Sequence, residues 1–209
     1  MDRMRFDVPT LFAGGRLCLD FVNTSCQRRG VDVELIGSGE ELREWLRLAE
    51  GVMGTPLCPD DAVWEAGYGE RVLPRALGLR AALHDLVLSV IERASAPLEA
   101  LETVNAVLRE NPMYSQLGSD GAGFREIVSV RHPDDRWLVL IAKDAIDLLC
   151  SSDLSLVRQC ECPTCVRVFY DSTKNHRRRW CVEKCGSLPK AAAYYRRKVA
   201  RASQAKSGE

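Results

Sequence analysis

The sequence predicts an α+β chain: a predominantly helical N-terminal domain with a small β-hairpin, followed by a small C-terminal module that is organised by cysteines and ends in a basic helix. Three observations lead there. Apolar residues recur at helical spacing across much of the first 150 positions, a β-branched stretch interrupts them near residue 125, and five of the nine cysteines crowd into residues 160–185. An apolar content of 46% is ordinary for a chain that buries a core.

The segment FAGGRLCLDFVNT (12–24) is the first apolar stretch. Its alternation of Leu17, Leu19 and Phe21 suits a strand, while its shortness equally suits a buried helical turn. A carboxylate buried there needs a partner, and Arg16 or Arg28 would supply one to Asp20. Asp20, Asn23 and Arg28 are also the candidate ligand-binding residues. SGEELREWLRLAE (38–50) reads as a helix: Ser38 and Glu41 fit a capping box, Leu42, Trp45, Leu46 and Ala49 share a face, and Gly51 marks the stop. Residues 74–94 make a longer helix, with Pro74 in the first turn and Ala76, Leu79, Leu83, Leu86, Val87 and Val90 inward. A third runs from Pro97 to Glu110 with Leu98, Leu101, Val104 and Leu108 inward, and Asn111-Pro112 ends it. FREIVSV (124–130) and RWLVLIA (136–142) flank the turn formers RHPDD and read as the hairpin. AKDAIDLLC (142–150) returns to helical spacing, and LSLVRQC (154–160) leads into the cysteines as a short strand.

The cluster runs Cys160-x-Cys162-x2-Cys165-x15-Cys181-x3-Cys185. Two close groups separated by about fifteen residues are the usual arrangement for structural zinc, because each pair of thiolates must come from one tight turn. Four thiolates close the tetrahedral shell and leave no open position for catalysis. The C-terminal part is therefore read as a zinc-binding module holding one structural Zn2+. Cys181 and Cys185 supply one pair, and Cys165 with either Cys162 or Cys160 the other. Spacing alone mildly favours Cys162. Cys18, Cys26, Cys58 and Cys150 are isolated and read as small core or surface residues. An odd number of cysteines and an N-terminus without a signal-peptide pattern point to reduced thiols and a cytoplasmic chain. No apolar run approaches the roughly 18 residues of a membrane span.

The net charge of zero hides an asymmetry. Residues 158–209 hold 13 Lys+Arg and 4 Asp+Glu, and residues 1–157 hold 16 and 25, so the two parts carry +9 and −9. A basic module beside an acidic one suggests an anionic partner for the former. Lys174, Asn175, His176, Arg177, Arg178 and Arg179 lie between the cysteine groups. Lys190, Tyr194, Arg196, Arg197, Lys198 and Arg201 lie along a helix expected to start near Pro189. Together they are the candidate nucleic-acid-binding residues: cations meet phosphates and an aromatic ring meets a base. His84 and His132 read as structural.

The pattern C-x4-C, then F-x-D-x-T-K-N-x-x-R-R-W-C-x3-C-G, resembles the CGNR-type zinc finger. Cys160, Cys165, Phe169, Asp171, Thr173, Lys174, Asn175, Arg178, Arg179, Trp180, Cys181, Cys185 and Gly186 carry the match. Residues 14–24 resemble the opening of the α-rich ABATE domain that precedes this finger. The resemblance implies Cys160 as first ligand, with Cys162 a loop passenger, and a bacterial transcription regulator of the stress-related kind. The chain departs from the family where Ser187-Leu188 replaces the naming Asn-Arg pair. The expected organisation is 1–157 ABATE-like, for effector sensing or self-association, 158–201 the finger, and 202–209 a disordered tail. The expected function is DNA binding in transcription regulation, with a small-molecule effector as candidate partner. The alternative is a ligand-binding or interaction protein whose zinc is purely structural. No nucleophile–base pair supports an enzyme, and no catalytic residue is assigned.

Overall fold

A computed structural model describes residues 8–28, 31–119, 121 and 123–187. The helix expected after Pro189 and the expected C-terminal tail lie outside these residues. The described part is mostly helical with small hairpins, as the sequence predicts. Helices α1 (Val8–Leu11) and α2 (Leu17–Val22) are followed by strands β1 (Ser25–Arg28) and β2 (Val31–Glu34). Helices α3 (Gly39–Met53), α4 (Asp61–Glu65), α5 (Tyr68–Glu92) and α6 (Leu98–Glu110) come next, then strands β3 (Met113–Ser119) and β4 (Phe124–Val130). Helix α7 (Arg136–Ser151) precedes the finger strands β5 (Val157–Gln159) and β6 (Val168–Tyr170). The strands form antiparallel pairs β1–β2, β3–β4 and β5–β6.

The segment that suited strand or helix is helical. All six residues of α2 are buried, so its apolar run carries no alternation of inside and outside. Helix α2 packs against α5, α7 and β6 and forms the centre of the body. Phe21 meets Trp45 and Trp137 there, with ring centroids 5.2 and 6.2 Å apart.

Several readings need correction. The hairpin pairs 124–130 with 113–119, not with 136–142. RWLVLIA is the first half of α7. Its Trp137, Leu138, Ile141 and Ala142 continue through Ala145 and Leu148 as one buried helical face, and that 3.6-residue period outweighs β-branched composition. Helix α3 runs past Gly51 and stops at Gly54, whose φ of 65° forms the left-handed cap. Ser38 Oγ accepts the Glu41 N–H as a capping box requires, but the Glu41 carboxylate takes the Gly37 N–H. Helix α5 starts at Tyr68, which places Pro74 in its interior. In α6 the buried residues are Ala100, Val104 and Val107, while Leu98 and Leu101 are exposed.

Helices α3 and α5 cross at two glycines. A Cβ on Gly39 would lie 2.6 Å from the Gly69 carbonyl carbon, whereas one on Gly51 would meet nothing within 4 Å. Gly39→Ala should therefore destabilise the chain by about 1–3 kcal/mol through overpacking. Gly51→Ala should stabilise it by about 0.5–1 kcal/mol through helix propensity. Urea denaturation of the two variants checks the opposite signs.

Candidate metal centre

The sulfurs of Cys160, Cys165, Cys181 and Cys185 all lie within 4.8 Å of one another. Two separations, Cys165–Cys181 and Cys181–Cys185, are 3.7 Å. A tetrahedron with Zn–S bonds of about 2.3 Å has edges of about 3.8 Å, so the four thiols fit one zinc ion. Crowding alone makes the set hard to ionise. Hydrogen bonds from Cys165 and Cys181 hold the Cys160 thiol well below its ordinary range, and those same bonds raise Cys165 and Cys181. Burial, with the charges of Cys165 and Cys160, raises Cys185. A divalent cation is what lets four thiolates coexist here. Cys162 is buried outside the set, with its sulfur 3.6 Å from Thr164 Oγ1.

Local backbone geometry builds the cage. Cys165 N–H donates to the Cys162 carbonyl at 2.9 Å, closing the turn that presents Cys160 and Cys165. Cys181 N–H donates to Cys160 Sγ at 3.4 Å, joining the two halves. Gly186 follows the last ligand because a Cβ there would sit 2.8 Å from the Trp180 ring. Strand β6 serves two cores at once through its period of two. Val168 points into the body core, and Phe169, fully buried, fills the small core behind the cysteines.

Asp171 organises the loop between the cysteine groups. Its buried carboxylate accepts from Thr173 Oγ1 at 2.6 Å, Thr173 N–H at 3.1 Å and Arg178 N–H at 2.8 Å. Burial alone would raise this acid; the three hydrogen bonds and Arg158 more than offset it and hold it below the usual carboxylate range. His176 takes a φ of 48° at the loop's turn, its Nδ1 lying 3.1 Å from the Asp171 carbonyl. Lys174, Asn175 and Arg177 project as exposed side chains. Arg179 pairs with Glu161 at 2.5 Å and lies 5.2 Å from the Trp180 ring centroid.

Arg178 is placed differently from its neighbours. Its guanidinium lies 4.4 Å from the Phe169 ring centroid and donates to the carbonyls of Trp180 at 3.0 Å, Ala13 at 2.8 Å, and Cys181. It clamps the finger to the chain start, a structural role that the nucleic-acid reading of the sequence did not include, and it is half-buried. Charge alone could not separate it from Arg177 and Arg179.

The same seam absorbs the N-terminal motif. Asn23 donates from Nδ2 to the Val168 carbonyl at 2.8 Å and accepts the Val168 N–H at 2.9 Å on Oδ1. Tyr170 N–H donates to the Gly14 carbonyl at 2.8 Å, and Arg167 donates to the Thr10 carbonyl at 2.5 Å. Asp20 accepts the Gly14 N–H at 2.7 Å, while Arg16, expected to serve Asp20, pairs with Asp144 at 2.9 Å. Asp20 and Asn23 thus hold backbone. Arg28 lies on β1, its side chain outside the description. Lys190, Tyr194, Arg196, Arg197, Lys198 and Arg201 lie outside the described residues. The docking role of Asn23 was missed because its partner is 145 positions away.

Two outcomes follow. Cys181→Ser should lose the zinc and Cys162→Ser should keep it, as metal-to-protein ratios after chelator-free purification will report. Burial, only partly opposed by the Gly14 N–H, pushes the Asp20 carboxyl up to about 7. The folded chain then binds a proton that the unfolded chain releases near pH 4, so this group favours folding at low pH and the benefit is lost as pH rises to 7. Asp20→Asn should flatten the pH dependence of stability between about pH 4 and 7, measured by urea melts.

Comparison with known families agrees with this geometry. The family model of the CGNR zinc finger matches residues 157–198. A search of curated proteins returns no match. Among the described residues no helix is long and apolar enough to cross a membrane. The ABATE model, described as "Putative stress-induced transcription regulator", matches residues 15–152, about two thirds of the sequence, and the chain belongs to this family.

Proposed function

We propose that the chain is a DNA-binding transcription regulator whose finger delivers cations to the phosphate backbone. The observation that supports this reading is the loop from Ser172 to Arg177. Asp171 anchors it from beneath, and Lys174, Asn175, His176 and Arg177 stand exposed on its outer side. A shallow depression of about 380 Å3 adjoins it, walled by Arg177, Arg179, Trp180 and Glu183. Phosphate contacts position a protein without reading sequence, which suits Lys174, Arg177 and Arg179. Asn175 and His176, at the loop's turn, are the candidates for touching bases. Lys190, Tyr194, Arg196, Arg197, Lys198 and Arg201 would extend the surface. Zinc would act by folding the finger, since metal binding energy is folding energy in such modules. The acidic N-terminal part would carry the regulatory input.

A second reading, a ligand-binding or interaction protein with purely structural zinc, draws support from the spending of cations inside the finger. Arg158 donates to the carbonyls of His176 and Arg178, Arg167 to Thr10, and Arg178 to three carbonyls, while Arg179 is paired with Glu161. Ser187, where the family has Asn, bonds the Lys184 carbonyl at 2.8 Å.

Salt titration separates the two. If about six phosphates are neutralised, log K should fall with log salt at a slope near −5. Lys174→Ala and Arg177→Ala should each reduce the slope by about 1 and leave zinc content unchanged. Absence of salt-sensitive binding to duplex DNA at low ionic strength would remove the first reading.

A further inference from the structure

A cleft of about 310 Å3 lies where the β1–β2 hairpin, α5 and the finger meet. This is at the lower end of the range of small-molecule sites, about 300–1,000 Å3. Its floor is apolar, built from the buried Val22 and the half-buried Leu77 beside the buried Cys26 thiol, with Ala81 exposed at its edge. Its rim is polar: Gln27 and Asp32 stand opposite each other across the hairpin, and His84 and Asp85 come from α5. An apolar floor under a few convergent polar groups is the usual construction of a ligand site.

The charges of the cleft select its ligand. Arg80 is its one cation among the described residues, and it is spent. Its two terminal nitrogens hold both Glu34 oxygens at 2.6 and 2.5 Å, and one of them also donates to Thr24 Oγ1 at 2.9 Å. Among the described residues Asp32 has no ion-pair partner, and Asp85 has the His84 ring nitrogen at 3.5 Å. Among the described residues, then, no Lys or Arg is paired with either carboxylate. An anion would have to pull Arg80 away from Glu34; a cation needs no rearrangement. We infer that this cleft is an effector site for a small organic cation, an amine or amidinium carried on a compact apolar body.

The position of the cleft gives the ligand a lever. Val166 closes the finger side, and it directly follows the zinc ligand Cys165. Arg167, next in the chain, reaches Cys26 Sγ at 4.0 Å and the Thr10 carbonyl at 2.5 Å. An occupant pressing on Val166 and Cys26 bears on both the zinc turn and the seam. This regulatory half rests on the DNA-binding reading, whereas binding of the cation does not.

The test is calorimetry on the zinc-loaded full chain, without nucleic acid. The probes are benzamidine and phenethylamine, with neutral benzamide and anionic benzoate as controls. At least one cation should bind ten-fold or more tighter than either control. Its affinity should fall at least ten-fold in the double variant Asp32→Asn, Asp85→Asn and hold in Glu44→Gln, a charge control on α3. Cations that bind no tighter than benzamide, or equally well to the double variant, would overturn the assignment. The same ligand at saturation should change duplex DNA affinity several-fold. Unchanged DNA affinity would remove the lever but not the site, and DNA binding absent with and without ligand would remove the function proposed above while leaving the calorimetric result intact.

Discussion

The structure depends on a seam of buried backbone groups where the finger meets the start of the chain. Asn23 satisfies both the N–H and the carbonyl of Val168, and Arg178 gathers the carbonyls of Ala13, Trp180 and Cys181. Each such group left unpaired in the interior would cost about 1–3 kcal/mol. The finger is thus not a module hung on a linker. Its strand β6 gives Val168 to the body core and Phe169 to its own, so neither core closes without the other.

This changes the meaning of the arginine-rich loop. A run of cations between two cysteine groups invites a reading as one nucleic-acid surface. In three dimensions the run divides by role. Arg178 turns inward over Phe169, Arg179 is held by Glu161, and Arg177 stands outward with Lys174. The motif residues that look most recognition-like are in part the ones that build the cage. Asp171 and Thr173 fix the loop from inside, and Gly186 leaves room for Trp180. A planar guanidinium that stacks and forks suits the Arg178 position in a way that an ammonium would not.

Much of this was legible in the sequence, and the parts that were not share a cause. Helices α3 and α5 announce themselves by long amphipathic periods, and the zinc site by thiol spacing, which is a local property. Helix α7 was misread at its start because Trp137 to Ala142 is buried nearly throughout, and a short fully buried run has no visible period. The β1–β2 hairpin, two strands of four residues each, is too short to carry a strong pattern. The roles of Asn23 and Arg178 could not be read, since one depends on a partner 145 positions away and the other on which way one arginine of three turns; Asp20 was given an arginine partner where the nearby Gly14 N–H serves it. Both resemblance motifs were visible; that they meet each other was not.

The claim that finger and body form one cooperative unit is tested most directly by a single urea titration of the zinc-loaded chain with two simultaneous readouts. Helical ellipticity follows the body, and a chromogenic chelator follows zinc release. Coincident midpoints are the predicted result. Zinc released well below the urea concentration at which the helices melt would show that the finger opens by itself, and would contradict the account.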